Sequence, residues 1–187
     1  MLINLLWKAL EHQALENCLV NITATGAEIV STIIGVYDEK IYKVDYKIGI
    51  NADWETRFAE IRSRHSDRQQ LIKLEKDGKG NWIQNGKPAD AFNGCTEIDI
   101  PLTPFTNTLP INRLKLAEGT SQFIDVIYID LAEQQIKRVQ QKYTRLSQLT
   151  YRYENVPNDF EATIKVDNWG FVVEYPSLFT RIAAAEE

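Results

Sequence analysis

Cysteine, histidine and clustered positive charge are scarce in this chain, and each scarcity removes a class of function. Among 187 residues there are two cysteines and two histidines. Cys18 and Cys95 lie far apart, with no partner at metal-ligand spacing, so neither a disulfide framework nor a Cys/His metal site is expected. They read as reduced, buried thiols of a cytoplasmic protein. His12 and His65 stand alone in charged, motif-free surroundings. No G-x-S-x-G, P-loop, Rossmann glycine pattern or H-E-x-x-H occurs. Net charge is −5 and the sequence pI is near 5.2, while Arg62, Arg64 and Arg68 are interleaved with Glu60 and Asp67. Nothing here draws the chain to nucleic acid or to an anionic membrane. No apolar run reaches the length of a membrane span, and the start M-L-I-N-L-L-W-K lacks the basic region of a signal peptide. Asp77-Gly78-Lys79-Gly80 has the look of a calcium loop but not its downstream glutamate, and is a turn. Neither a metal nor a cofactor is expected.

What is present is alternation. A hydrophobic content of 44% and a charged content of 25% suit an ordinary globular domain, and 187 residues suffice for one core spanning 1–187. In 42–50, Tyr42, Val44, Tyr46, Ile48 and Ile50 fall on one face, with Lys43, Asp45 and Lys47 on the other. In 160–166, Phe160, Ala162, Ile164 and Val166 oppose Glu161, Thr163 and Lys165. Beyond the turn at 167–170, Phe171, Val173 and Tyr175 continue that face, which predicts a hairpin over 160–175. Further turns are expected at Asp77–Gly80 and at Asn85-Gly86. Segments 17–24, 28–37, 57–64, 69–76, 123–131 and 136–153 also read as strands. Helical signal is limited to 107–116, where Asn107 or Thr108 can cap and Pro110 fits a first turn, and to Leu2, Leu5, Leu6 and Leu10 in 2–10. The residues predict one antiparallel, β-rich domain with very little helix.

One stretch resists a purely structural explanation. Residues 94–114 read G-C-T-E-I-D-I-P-L-T-P-F-T-N-T-L-P-I-N-R-L. Glu97 and Asp99 share one face of a strand, opposite Ile98 and Ile100, with Cα atoms about 7 Å apart. Three prolines and three threonines follow, crowded around Phe105 and Asn107, and the stretch ends on Arg113. Paired carboxylates at this range can perform acid/base glycoside chemistry, accept hydrogen bonds from sugar hydroxyls, or form a solvated face or an ion pair with Arg57 or Arg113.

G-C-T-E-I-D-I…T-P-F-T-N-T-L-P-I-N-R-L resembles the signature of the putative glycolipid-binding family. The rest of the chain agrees in order: Trp7, D-W-E-T-R at 53–57, D-G-K-G-N-W at 77–82, Q-K-Y-T-R-L at 141–146, Y-R-Y at 151–153 and D-N-W-G-F-V-V-E-Y-P at 167–176. The resemblance covers nearly the whole chain. It implies a mainly β fold, a long antiparallel sheet rolled around a single short α-helix, remotely like lipoprotein-localisation factors. It also implies a tight homodimer and an acidic pocket for a glycolipid or other sugar-containing molecule. On this reading 2–10 becomes a strand and 107–114 the central helix. Two positions depart from the pattern: Glu97 stands where the family has Asp, and Asn112-Arg113 where it has Arg-Arg.

The resulting expectation is a sugar-conjugate binding protein. Glu97 and Asp99 would accept ligand hydroxyls, with Arg57 and Arg113 holding those carboxylates in place. Trp54 and Tyr143 would supply apolar packing surface, and Asn107 and Arg145 complete the expected ligand-binding set. Trp82 and Tyr151 are further aromatic platforms, although aromatics on strands ordinarily pack in the core. The alternatives are a hydrolase or isomerase using Glu97 and Asp99 as acid and base, and a structural dimer with no ligand.

Overall fold

The computed structural model describes residues 1–11, 13–157 and 159–186; His12 lies outside them. Six strands follow one another in the first half of the chain: β1 (Leu2–Ala9), β2 (Ala14–Thr23), β3 (Gly26–Tyr37), β4 (Lys40–Asn51), β5 (Thr56–His65) and β6 (Arg68–Lys76). Short strands β7 (Trp82–Gln84), β8 (Lys87–Pro88) and β9 (Glu97–Asp99) lead into a 3₁₀ turn, Phe105–Asn107, and helix α1 (Thr108–Leu114). The chain finishes with β10 (Ser121–Asp130), β11 (Gln135–Ser147), β12 (Thr150–Val156), β13 (Glu161–Val166), β14 (Val172–Tyr175) and β15 (Phe179–Glu186).

All fifteen strands form one sheet, ordered β8-β7-β6-β5-β4-β3-β2-β1-β15-β14-β13-β12-β11-β10-β9. Its ladders are antiparallel except β9 with β10, which is parallel. The sheet is not closed. It rolls around the helix, which is held from several sides. The Tyr143 hydroxyl on β11 donates to Asn107 Oδ1 at 2.9 Å. The Asn112 side-chain amide donates to the Trp169 carbonyl beyond β13 at 2.9 Å. The Phe105 ring stacks on Phe171 at 6.4 Å. Tyr46 on β4 meets Thr103 at 3.2 Å, just before the helix.

Period-two burial sets which residues face inward. Tyr42, Val44, Tyr46, Ile48 and Ile50 are all buried, as their alternation predicts. In β1 the inward set is Ile3, Leu5, Trp7 and Ala9. The helix-like spacing of 2–10 arose because Leu2, Leu6 and Leu10 lie on the outer face, so that leucines of two faces mimicked one helical stripe. The helix is shorter than the predicted 107–116. It ends at Leu114 because Lys115 takes a left-handed conformation, φ 46°. Thr108, Leu109, Pro110 and Ile111 are buried, as a helix wrapped by a sheet requires.

Two strand expectations are corrected. Segment 136–153 is not one strand but β11 and β12, reversed at Gln148 and Leu149, neither of them a turn-forming residue. In the 160–175 hairpin the register shifts between Lys165 and Val166. That bulge turns Val172 inward beside Phe171 and Tyr175 and leaves Val173 half-buried. The turn itself needs Gly170, at φ +80°, where a Cβ would come within 2.4 Å of Asn112 Oδ1. Asn85 and Gly86 both have positive φ, 49° and 77°, which is the backbone of a tight hairpin turn.

Because successive strands alternate in direction, the turns at 38–39, 66–67, 131–134 and 176–178 gather at one end of the roll. Those at 24–25, 52–55, 148–149 and 167–170 gather at the other. Strand β9 runs toward the first end, so Asp99 lies nearer that end than Glu97.

Candidate acidic-aromatic cavity

At the first end the roll opens into a cavity of about 520 Å³ whose lining includes Asp99, Asn107, Gln141, Tyr128, Tyr153 and Tyr175. A second cavity of about 620 Å³ adjoins it and shares Pro101, Tyr128 and Asp130. The floor of the first is built from β9, the 3₁₀ turn and the middle of β11. Its walls come from β10, β12 and β14.

The two carboxylates singled out in the sequence have separate fates. Glu97 is fully buried and does not line the cavity. Arg113 Nε donates to its Oε1 in a close ion pair, and the Thr96 hydroxyl donates to Oε2 at 2.5 Å. Asp99 opens to the cavity. It accepts from the Thr106 hydroxyl at 2.9 Å and from the Gln141 amide at 2.7 Å. Burial raises its carboxyl pKa above the usual range, with the Gln141 and Thr106 hydrogen bonds opposing the rise. The expectation that Arg113 answers both carboxylates is therefore corrected: it pairs with Glu97, while Asp99 is held by two neutral donors. Nor do Glu97 and Asp99 face a common open space, the geometry an acid/base pair on one substrate requires.

The other expected residues divide in the same way. Asn107 is buried on the cavity floor, with Tyr143 packed behind it and bonded to it. The Tyr143 ring also meets Tyr153 edge-on at 5.4 Å. Arg145 lies away from the cavity and donates to the carbonyls of Leu116, Ser147 and Gln148, tying the chain beyond the helix to the β11–β12 turn. Trp54 sits half-buried in the 52–55 turn at the far end, at φ 65°. Arg57 is exposed at the start of β5 and forms no ion pair with Glu97 or Asp99, so it does not steady either carboxylate. Of the eight, only Asp99 and Asn107 line the cavity.

Sequence reasoning passed over the three tyrosines of the wall. Y-R-Y did place Tyr151 and Tyr153 on one face of a strand. Bringing Tyr128, Tyr153 and Tyr175 together, however, depends on the pairing of β10 through β14, which local pattern does not reveal. Burial is the first cause that raises the hydroxyl pKa of all three, that of Tyr128 to about 12, and the nearby Asp99 charge adds to it. They remain protonated and available as donors. The cavity also takes in Glu11, Asp130 and Asp159 against one lysine, Lys137, so its field is negative. Among the described residues no group of three His, Cys, Asp or Glu side chains could hold a metal ion, and no helix is long and apolar enough to cross a membrane.

Sequence buried polarity continues beneath the cavity. Glu16, on β2, accepts from Tyr46 at 2.6 Å, Ser31 at 2.8 Å and Thr103 at 2.9 Å, all through Oε1. Thr103 is also a cavity residue, so the network reaches the floor from below.

The comparisons with known proteins agree with this architecture. The crystal structure of a DUF1089 family protein from Pseudomonas aeruginosa superposes with a TM-score of 0.80 at 33% sequence identity, covering 89% of this chain and 92% of that one. No curated protein matches the sequence. Residues 4–181 match the family described as "Putative glycolipid-binding". On both counts the chain belongs to the putative glycolipid-binding (DUF1089) family.

Proposed function

We propose that the cavity binds the sugar portion of a glycolipid or related sugar conjugate, with Asp99 accepting hydrogen bonds from ligand hydroxyls. The observation that carries this reading is the convergence of a carboxylate and three protonated tyrosines on one space of about 520 Å³. A sugar ring presents hydroxyls at its rim and C–H faces between them, and such a ligand needs acceptors, donors and aromatic surface together. Asn107 and Gln141 extend the polar floor. Arg113 acts indirectly, by holding the Glu97 end of β9.

Asp99→Asn keeps the side chain's shape and replaces one acceptor oxygen by a donor. It is expected to weaken binding of a short alkyl glucoside about ten- to a hundredfold, the value of a hydrogen bond to a charged group, with an unchanged circular dichroism spectrum. Equal affinity of the variant and the native protein, measured by calorimetry, would remove Asp99 from the site.

The expected homodimer belongs to the same proposal. The outer face of β2, β3 and β4 exposes Leu15 opposite Ile34, and Val36 opposite Ile41, the last 72% exposed. Such a contiguous apolar face suits a second copy of the chain. Light scattering should give a dimer mass that Ile34→Glu halves; a native monomer would sink this part of the proposal.

A further inference from the structure

Glu97 and Asp99 pose the same electrostatic problem two residues apart, and the chain solves it for only one of them. Glu97 has a guanidinium, Arg113, against its carboxylate. Asp99 has a threonine hydroxyl and a glutamine amide, and no cation pairs with it among the described residues. A shielded carboxylate without a counter-ion is costly, and a positive charge supplied from the cavity would offset that cost.

The walls around Asp99 suit such a charge. Tyr153 and Tyr175 are only 7% and 5% exposed, and both line the cavity beside Asp99. Phe160 and Phe179 pack beside them, with ring centroids 6.1 to 6.4 Å apart. Ring faces and phenol oxygens both attract an ammonium group. The chain already uses one ring in this way: the Lys137 ammonium stands 5.6 Å over the Tyr128 ring at the cavity's edge. Glu11, Asp130 and Asp159 add negative charge, which disfavours phosphate or carboxylate on a ligand.

We infer that the cavity is selective for a sugar bearing a free amine, a hexosamine unit whose ammonium sits against Asp99 and the tyrosine wall while its hydroxyls take the remaining polar groups. This inference rests on the sugar-site reading above and narrows it to a cationic ligand class.

The test compares hexyl glycosides of glucosamine, N-acetylglucosamine and glucose by calorimetry, at a pH where the free amine is protonated. The amine-bearing glycoside is expected to bind about tenfold or more tightly than either neutral one, since an ammonium–carboxylate pair replaces a hydroxyl–carboxylate hydrogen bond. Asp99→Asn should abolish that preference. Lys137→Met, at the cavity's edge, removes a competing ammonium and should tighten amine binding a few-fold. Equal binding of all three glycosides, or tighter binding of the acetylated one, would overturn the amine selectivity and leave the sugar site standing. Absence of binding by all three would overturn both. A Lys137→Met protein with unchanged or weaker amine affinity would also count against the inference.

Discussion

Arg113→Met is expected to destabilise the protein by about 3 kcal/mol, at the lower end of the range for breaking a buried ion pair. The cost comes from Glu97 rather than from lost packing. Glu97 is fully buried, and without Arg113 its nearest hydrogen-bond donor is the Thr96 hydroxyl. Two features keep the value from the top of the range. The Arg113 side chain is 19% exposed, so water screens part of the attraction, and the half-buried Lys76 lies close enough to feel the Glu97 charge. The double variant Glu97→Gln with Arg113→Met should recover most of the loss, because no uncompensated charge remains. Urea denaturation reads both, with the slope unchanged if only stability is affected. An Arg113→Met protein within about 0.5 kcal/mol of native, the range of an ordinary surface substitution, would show that the pair does not hold β9 to the helix.

The second large effect lies at Glu16. Burial pushes its carboxyl from 4.5 up to about 7, although hydrogen bonds from Tyr46, Ser31 and Thr103 pull the other way. The folded value is raised, so the folded state holds this proton more tightly than the unfolded chain. The group's contribution to stability is fully present below the unfolded value and is lost as pH rises through about 7. The loss is roughly 3 kcal/mol across that window. Glu16 Oε2, which has no hydrogen-bond partner among the described residues, is the atom left bearing uncompensated charge on ionisation. Glu16→Gln should therefore be more stable than the native protein above pH 7 and differ little from it below pH 4.5. The readout is the difference between the two denaturation midpoints across pH, because other carboxylates titrate equally in both proteins. Parallel pH profiles would show that Glu16 does not titrate in this window.

Strand alternation made much of the roll visible in advance, since a face that must be buried imposes a period of two. It failed where that period was interrupted: at the bulge beside Val166, at the Gln148-Leu149 reversal, and in β1, where outer leucines obscured the inner row. The site was legible only in part for a related reason. Glu97, Asp99, Asn107 and Arg113 belong to one continuous segment, so their proximity could be anticipated. Their division into a paired structural carboxylate and an open one could not, because Gln141, which holds Asp99 together with Thr106, comes from the distant β11. Arg57, Trp54 and Arg145 were grouped with the site by residue type, and the strand directions carry them away from it.

The unclosed sheet has a consequence for how this architecture diversifies. In a sealed barrel, strand number and shear fix the diameter, so a wider lumen requires rebuilding every ladder. Here β9, at one edge of the sheet, is tied across to the start of β5, the fourth strand from the other edge, where the Thr56 N–H donates to the Thr96 carbonyl at 3.0 Å. Girth is set by what the roll encloses: Glu97 on Arg113, Asp99 on Thr106 and Tyr46 on Thr103. A relative can therefore resize its chamber by exchanging plug side chains and lengthening mouth turns, while every strand keeps its register.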